Sequence, residues 1–493
     1  MKTMLTIILS LLYSSMFAQV SQAAIASLKG TRDHGGKSTT GIAEKAPHRH
    51  NADFSWNSNT DNYYSEEKLK FAEAAHFKYN FGGNIFINPP LGNGNELPSD
   101  RQGILDGGRW DISIYFNLND WTTNDTADLR TQIQEIKDSL SLTNISAISY
   151  RGGDDEGARD SLVWLKQFLG GRNSTANIPT DTPTSLYNFY GIVEGDTLGN
   201  LINPDTAWNV FRIISQASTS RFVNGDGWVE NDSASTAANA ITSATFMLET
   251  AQKRGFYRNF THLHTLFETG VKDWRNGYFG FLKNHRDSIS SNNYFEYSAG
   301  YEEIIEYAYA RDLISNTSTS DIGDGIRLSL DFTNNEDIDP SLIETPVSIV
   351  ITTVGTNLEG NEIICTGCEG IRKIATDSFA LDLKIPSDLS QKTVDISHHE
   401  SGVYYDFTKP AITSATLDGT DLNVTTDKAT IVTAFYGNRN GEDWEIEGTF
   451  RSGSTYQTSH TIDLSAITPT AKDIRIGVIT KEKQSILSSP YRF

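Results

Sequence analysis

Between residues 51 and 318 short apolar runs alternate with segments of helical period, and this alternation limits what the chain can fold into more than any other feature. DFSW and NIFINPP read as buried strands with a helix from Ser65 to about Tyr79 between them. WDISIYF is a strand, TADLRTQIQEIKDSL is a helix opening after Asn124, and AISYRG is a strand again. Strands separated by helices return in the same direction, so they pair in parallel and predict an α/β barrel or doubly wound sheet. Barrels of this kind carry their chemistry at the carboxyl ends of the strands, which directs attention to the residues that follow DFSW, WDISIYF and AISYRG.

Past about residue 320 the pattern becomes GIRLSLDF, PVSIVITTV, FALDLKI, ITSATL, ATIVTAFY, DWEIEGTF and IRIGVI, short runs of period two separated by Gly, Asn, Asp and Pro. These predict β-sandwich modules over residues 325–408 and 410–493, dividing near Pro410. A length of 493 residues agrees with several domains, because single cores stop growing at roughly 250–300 residues.

The chain opens with one lysine, an apolar stretch from Met4 to Leu12, and small residues offering cleavage after Ala18 or Ala23. That apolar stretch is far shorter than the roughly 20 residues of a spanning helix, so residues 1–23 are expected to be a secretory signal. The mature protein is then exported, periplasmic or secreted, and no later segment is apolar for long enough to insert in a membrane. Residues 24–50 lack either periodicity and are expected to form a flexible leader, with His34, His48 and His50 solvated. A net charge of -21 argues against a nucleic-acid partner. Cys365 and Cys368 are the two cysteines, and in an oxidising compartment they read as a short-range disulfide; no second CxxC or histidine pair completes a zinc set.

The order of the segments over about residues 50–318 resembles the polysaccharide deacetylases with NodB homology. DFSWNSN stands where that family has its S-F-D-D-type motif, and GILDGGRWDISIYFNLND stands where it has H-E-I-G-x-H-x-x-x-H. ISYRGG is similar to its arginine motif, and NFTHLHT to its late Leu-x-His strand. The resemblance implies a distorted (β/α) barrel, followed here by the C-terminal β-sandwich modules. It also exposes departures. The family's catalytic base falls on Asn57, its metal-binding aspartate on Ser58, and its two metal-binding histidines on Tyr115 and Asn119. Amide, hydroxyl and neutral phenol are poor zinc ligands, so the resemblance predicts no metal and no other cofactor.

Arg151 and His264 keep chemical side chains at matching positions, and Arg172 in LGGRN falls where the family has another arginine. With Tyr115 they suit β-elimination on a uronic acid: arginine neutralises the carboxylate, and histidine and tyrosine share the proton transfers. The expected set is His264 and Tyr115 as catalytic groups, with Arg151, Arg172, Asn57 and Asn119 holding a uronate-containing oligosaccharide or polysaccharide. The chain is similar to deacetylase-like proteins associated with breakdown of ulvan, among them an oligosaccharide dehydratase, and the long NPPLGNGNELPSD and SRFVNGDGWVENDS loops, as closures of one end of the cleft, favour a dehydratase over a lyase. Two alternatives stay open: a metal-dependent deacetylase with a rebuilt site, and a non-catalytic carbohydrate-binding protein. Each residue also has a plainer role. Arg151 can pair with Asp154 or Asp155, Tyr115 and His264 can be core, and Trp56 reads as core packing, whereas Trp110 and Trp228 could stack on sugar rings. Glu302, Glu303 and Glu306 in YEEIIEYAYAR read as the solvated face of a helix.

Overall fold

The computed structural model of the chain describes residues 41–61, 66–87, 101–117, 134–135, 138–139, 147–151, 169–172, 203–205, 210–212, 244–245, 247–248, 251–252, 254, 256–260, 274–333, 340–438 and 446–493. The expected signal, residues 1–23, and most of the expected leader lie outside them. Strand β1 (Ile42–Lys45) comes first, followed by a 3-10 turn at Arg49–Asn51. β2 (Phe54–Asp61), β3 (Gly83–Ile87), β4 (Trp110–Asn117), β5 (Ala147–Arg151) and β6 (Leu169–Arg172) then lie side by side in chain order, all parallel. β7 (Asn203–Asp205) and β8 (Val210–Arg212) make a separate antiparallel pair. β9 (Phe256–Phe260) and β10 (Glu296–Ser298) both return to β2 in parallel. Ser55 pairs with Phe256 and with Tyr297, so these two strands flank β2 on opposite edges, and β10 shares its edge with β3, which takes over at Ser58.

Among the described residues, four helices have both ends defined: α1 (Glu66–Tyr79), α2 (Arg101–Asp106), α3 (Trp274–Ser291) and α4 (Tyr301–Leu313). Side chains alternate between the two faces of a strand, and here the faces differ in character. Phe54, Trp56, Ile85, Ile87, Trp110, Ile112 and Tyr257 share one face by register and are all buried. α1 and α3 supply residues to this aromatic layer. Trp56 stacks on Phe81 at 4.0 Å and donates Nε1 to His285 Nδ1 at 3.0 Å, while His76 Nε2 meets the Tyr278 hydroxyl at 3.0 Å. Burial pushes His76 and His285 down to about 3, so both are neutral rings that serve packing. A Cβ on Gly83 would come within 2.6 Å of the Trp110 ring, which explains a glycine at the start of β3. Trp56 is therefore core as expected, and Trp110 is core as well rather than a platform for sugar; it is 1% exposed. Trp228 lies outside the described residues.

α4 runs straight into β11 (Ile314–Asp321), and β12 (Gly325–Phe332), β13 (Val347–Thr352), β14 (Ile363–Thr366), β15 (Gly370–Ala375), β16 (Ser378–Leu383) and β17 (Lys392–His398) follow. They form two four-stranded sheets, ordered β1-β13-β16-β15 and β11-β12-β17-β14, around one core that also takes in Tyr301, Ile304 and Tyr307 of α4. Cys365 and Cys368 are joined in a disulfide, with Cα atoms 5.6 Å apart. The last unit holds β18 (Ile412–Asp418), β19 (Asp421–Asn438), β20 (Gly448–Arg451), β21 (Gln457–Asp463), β22 (Lys472–Thr480) and β23 (Ser485–Leu487). β19 pairs with β18 and β21 through its first half and with β20 and β22 through its second, the register shifting between Thr425 and Thr430. The architecture is thus a parallel α/β sheet followed by sheet-rich antiparallel units. No described helix is long and apolar enough to cross a membrane.

Two expectations fail here. The stretch before residue 51 is not a uniformly flexible leader, because β1 pairs antiparallel with β13 from Ile42↔Thr352 to Lys45↔Ile349. His48 and His50 are buried rather than solvated. His48 has partners on both ring nitrogens, Ser55 Oγ at 2.7 Å and the Arg254 carbonyl at 2.9 Å. The glutamate face of α4 is also not solvated. Glu306 Oε2 accepts from the backbone N–H of Glu344 and of Thr345 and from the Thr345 hydroxyl, and Glu303 accepts from the Tyr297 hydroxyl at 2.7 Å. Docking the sandwich against this helix supplies the partners that solvent would otherwise provide.

Candidate functional sites at the two ends of the sheet

The second face of the parallel sheet is richer in polar positions, although Phe86, Phe256 and Phe260 also fall on it by register. Register places positions 57 and 59 of β2, 84 of β3, 111, 113, 115 and 117 of β4, and 149 and 151 of β5 on it. Tyr115 aligns with Ser149 and Asn117 with Arg151, so positions 115 and 151 share this face with Asn57. Arg172 aligns with Tyr150, which sets position 172 on the opposite face. The two arginines expected to grip one carboxylate are therefore separated by strand alternation. His264 and Asn119 lie outside the described residues.

Asn57 is fully buried; its Nδ2 donates to the Ala299 carbonyl at 2.7 Å, and its Oδ1 has no partner. Sequence reasoning passed over Asn84 and Ser113 on the same face. Both are fully buried, and the Ser113 hydroxyl donates to Asn84 Oδ1 at 3.1 Å, leaving Asn84 Nδ2 unpartnered. A polar interior of this kind costs stability wherever an amide lacks its partner, and the alternation N-I-F in β3 and D-I-S in β4 was the available signal. Among the described residues no cluster of three His, Cys, Asp or Glu side chains is placed to hold a metal ion.

A second constellation lies at the amino end of the sheet, where the 3-10 turn, β10, the segment after β17 and the β22–β23 hairpin meet around a cavity of 50 Å³. Asp382 is its electrostatic centre. His50 Nδ1 stands 2.8 Å from Asp382 Oδ2, close but off the ideal N–H direction. The same oxygen accepts from the Tyr405 hydroxyl at 3.2 Å and from Arg49 Nε at 3.4 Å, and Ser348 Oγ donates to Oδ1 at 2.5 Å. Burial alone would raise the Asp382 carboxyl, but His50, Arg49 and the Ser348 hydroxyl outweigh it and hold the group anionic, below its ordinary value. Burial lowers His50, against the pull of Asp382, so its ring is neutral. Edge contacts of the ring with Tyr297, Tyr405 and Phe407, at centroid distances of 5.8, 4.9 and 5.1 Å, complete the setting. Sequence reasoning missed this histidine because its carboxylate partner is 332 residues further along the chain.

No family model matches the chain, and no curated protein does. Among solved structures, a β-glucuronidase from Parabacteroides merdae, determined with glycerol in its active site, aligns over 92% of this chain at 8% identity with a TM-score of 0.23. The alignment spans 64% of that enzyme's length.

Proposed function

We propose that the chain is a carbohydrate-active enzyme whose parallel sheet is the distorted barrel of the deacetylase class. Its reaction is metal-independent β-elimination at a uronic acid of algal-type oligosaccharides such as ulvan, releasing water in preference to a sugar. The observation that supports this reading best is that positions 115 and 151, on the neighbouring strands β4 and β5, share one face of the parallel sheet near its carboxyl end, with position 57 on the same face nearer the amino end.

The chemistry follows from those groups. Arg151 neutralises the uronate carboxylate and so lowers the cost of removing the neighbouring C5 proton. His264 takes that proton, the C5–H electron pair becomes the C4=C5 double bond, and the C4–O bond breaks. Tyr115 protonates the departing oxygen, so water leaves and a 4,5-unsaturated uronyl end remains. Arg172, on the opposite face, has no role in this step.

Incubation with uronate oligosaccharides is expected to raise ultraviolet absorbance and to lower product mass by one water. Tyr115→Phe and His264→Ala are each expected to slow the reaction about 10²- to 10⁴-fold. Two smaller saccharides as products would instead indicate a lyase. Acetate release abolished by a chelator and restored by zinc would replace the proposal with a deacetylase, and binding without chemical change would replace it with a carbohydrate-binding role.

A further inference from the structure

We infer that the cavity at the amino end of the sheet is a saccharide-binding site, in which His50 accepts a hydrogen bond from a sugar hydroxyl and Arg49 donates one to a sugar oxygen. Tyr405 and Phe407 would pack against the C–H face of the ring. The inference does not rest on the elimination reading.

The imidazole is oriented. With Nδ1 2.8 Å from an anionic carboxylate, the proton of the neutral ring sits on Nδ1, and Nε2 keeps its lone pair. Nε2 has no hydrogen-bond partner among the described residues and is not among the sealed, unsatisfied atoms, and His50 is one of the residues that line the cavity. Such an acceptor selects a ligand that carries O–H or N–H. Arg49 uses Nε on Asp382 and Nη1 on the Tyr297 hydroxyl, at 3.4 and 3.3 Å, and also hydrogen-bonds Tyr405, so its guanidinium is held at the wall of the cavity. One wall therefore offers an acceptor and a donor side by side, the pattern that a hydroxyl-bearing ring satisfies.

Charge argues for a sugar over a small anion. Arg49 and Lys483 both lean on Glu303, at 3.6 and 3.0 Å, and Arg49 also on Asp382, so these two buried cations are already paired and only the exposed Lys481 adds positive charge to the lining. Aromatic side chains from two segments, Phe295 with Tyr297 and Tyr405 with Phe407, line the same space, and rings beside fixed polar groups suit the amphipathic faces of a sugar. At 50 Å³ the cavity takes one hydroxyl-bearing edge of a ring rather than a whole residue.

The backbone here is held in an unusual form. His50 and Asn51 are consecutive non-glycine residues with φ of 57° and 52°, a left-handed pair that costs energy unless its surroundings enforce it. They do enforce it: His50 N–H donates to Ser348 Oγ at 2.7 Å, and Arg372 Nη1 donates to the His50 and Asn51 carbonyls at 2.8 and 3.2 Å. A buried filler at position 50 would need none of this; an imidazole aimed into a cavity does.

Titration calorimetry of the full chain with the methyl glycosides of glucose, xylose, rhamnose and glucuronic acid, and with inorganic sulfate, tests the inference. At least one glycoside is expected to bind saturably, and sulfate is not. Phe407→Ala, a half-buried position outside the strands, is expected to weaken binding at least about tenfold with an unchanged melting temperature. His50→Asn is expected to weaken binding by at least as much, since asparagine tolerates the left-handed backbone but does not offer the imidazole lone pair. No binding of any glycoside, binding undiminished in both variants, or sulfate binding as tightly as the sugars would overturn it. Loss of elimination activity in other variants bears on the parallel face and leaves this result untouched.

Discussion

Glu73 and Arg451 stand 378 positions apart and meet as a bidentate pair, Nη1 to Oε1 at 2.7 Å and Nη2 to Oε2 at 2.9 Å, with side chains 1% and 8% exposed. Two parallel charge-assisted bonds fix α1 against the C-terminal unit. Removing one partner of a buried pair leaves an uncompensated charge, so Glu73→Ala is expected to cost about 3–5 kcal/mol, read as a lower midpoint in thermal or urea unfolding. Replacing both residues by apolar ones of similar size, Glu73→Leu with Arg451→Met, is expected to restore most of that loss. Neither residue stood out in the sequence, because a glutamate in a helix and an arginine in a short strand look like ordinary surface charges until the partner is known. Glu306 and His50 do stand out in the sequence, but for the same reason they read there as solvated. The family resemblance singled out Asn57 and Tyr115, whereas the groups that fix the junction are paired across hundreds of residues.

Elements were more legible than partners. The parallel strands follow from the helix–strand alternation, and the antiparallel ones from period two between turn residues, because both periods are written locally. β1 is the exception. IAEK is four residues with no apolar face, alternating exposed and half-buried, and it becomes a strand only because β13 offers an edge. Its other side meets β11, where the Thr317 hydroxyl donates to the Ala43 carbonyl at 2.8 Å and Thr319 to the Gly41 carbonyl. The chain thus starts one sheet of the sandwich, leaves for the whole α/β unit, and comes back to finish it. A chain beginning at residue 46 is expected to melt about 5 °C or more below one beginning at residue 41 and to be cut faster by proteases near β13. Equal melting and equal cleavage would show that β1 is dispensable.

At the scale of the molecule the three units meet through charge as well as through apolar packing, and the meeting point titrates. Asp111 on β4 faces Gly300 at the start of α4 so closely that a Cβ there would collide with its carboxylate, and Glu303, Glu306 and Lys483 are the charged groups around it. Burial first, then Glu303, raises Asp111 to about 7, with Lys483 pulling the other way. Lys483 from the β22–β23 hairpin bonds Glu303 at 3.0 Å, and Glu303 is held down at about 2, burial being outweighed by Lys483 and Arg49. The two carboxyls therefore act with opposite sign. Asp111 binds its proton more tightly folded than unfolded, so stability falls as pH rises from the unfolded value of about 3.9 toward 7, by at most about 1.4 kcal/mol per pH unit. Glu303 contributes stability that is present above about 4.3, its unfolded value, and lost only as pH falls toward 2. Asp111→Asn is accordingly expected to match the wild type near pH 4, to melt progressively higher than it up to about pH 7 and to hold that advantage at pH 8, whereas Glu303→Gln is expected to melt lower across that whole range. Melting curves of the three proteins at pH 4, 5, 6, 7 and 8 check both signs, and an Asp111→Asn advantage that does not grow with pH would show that this carboxyl is ionised in the folded chain throughout.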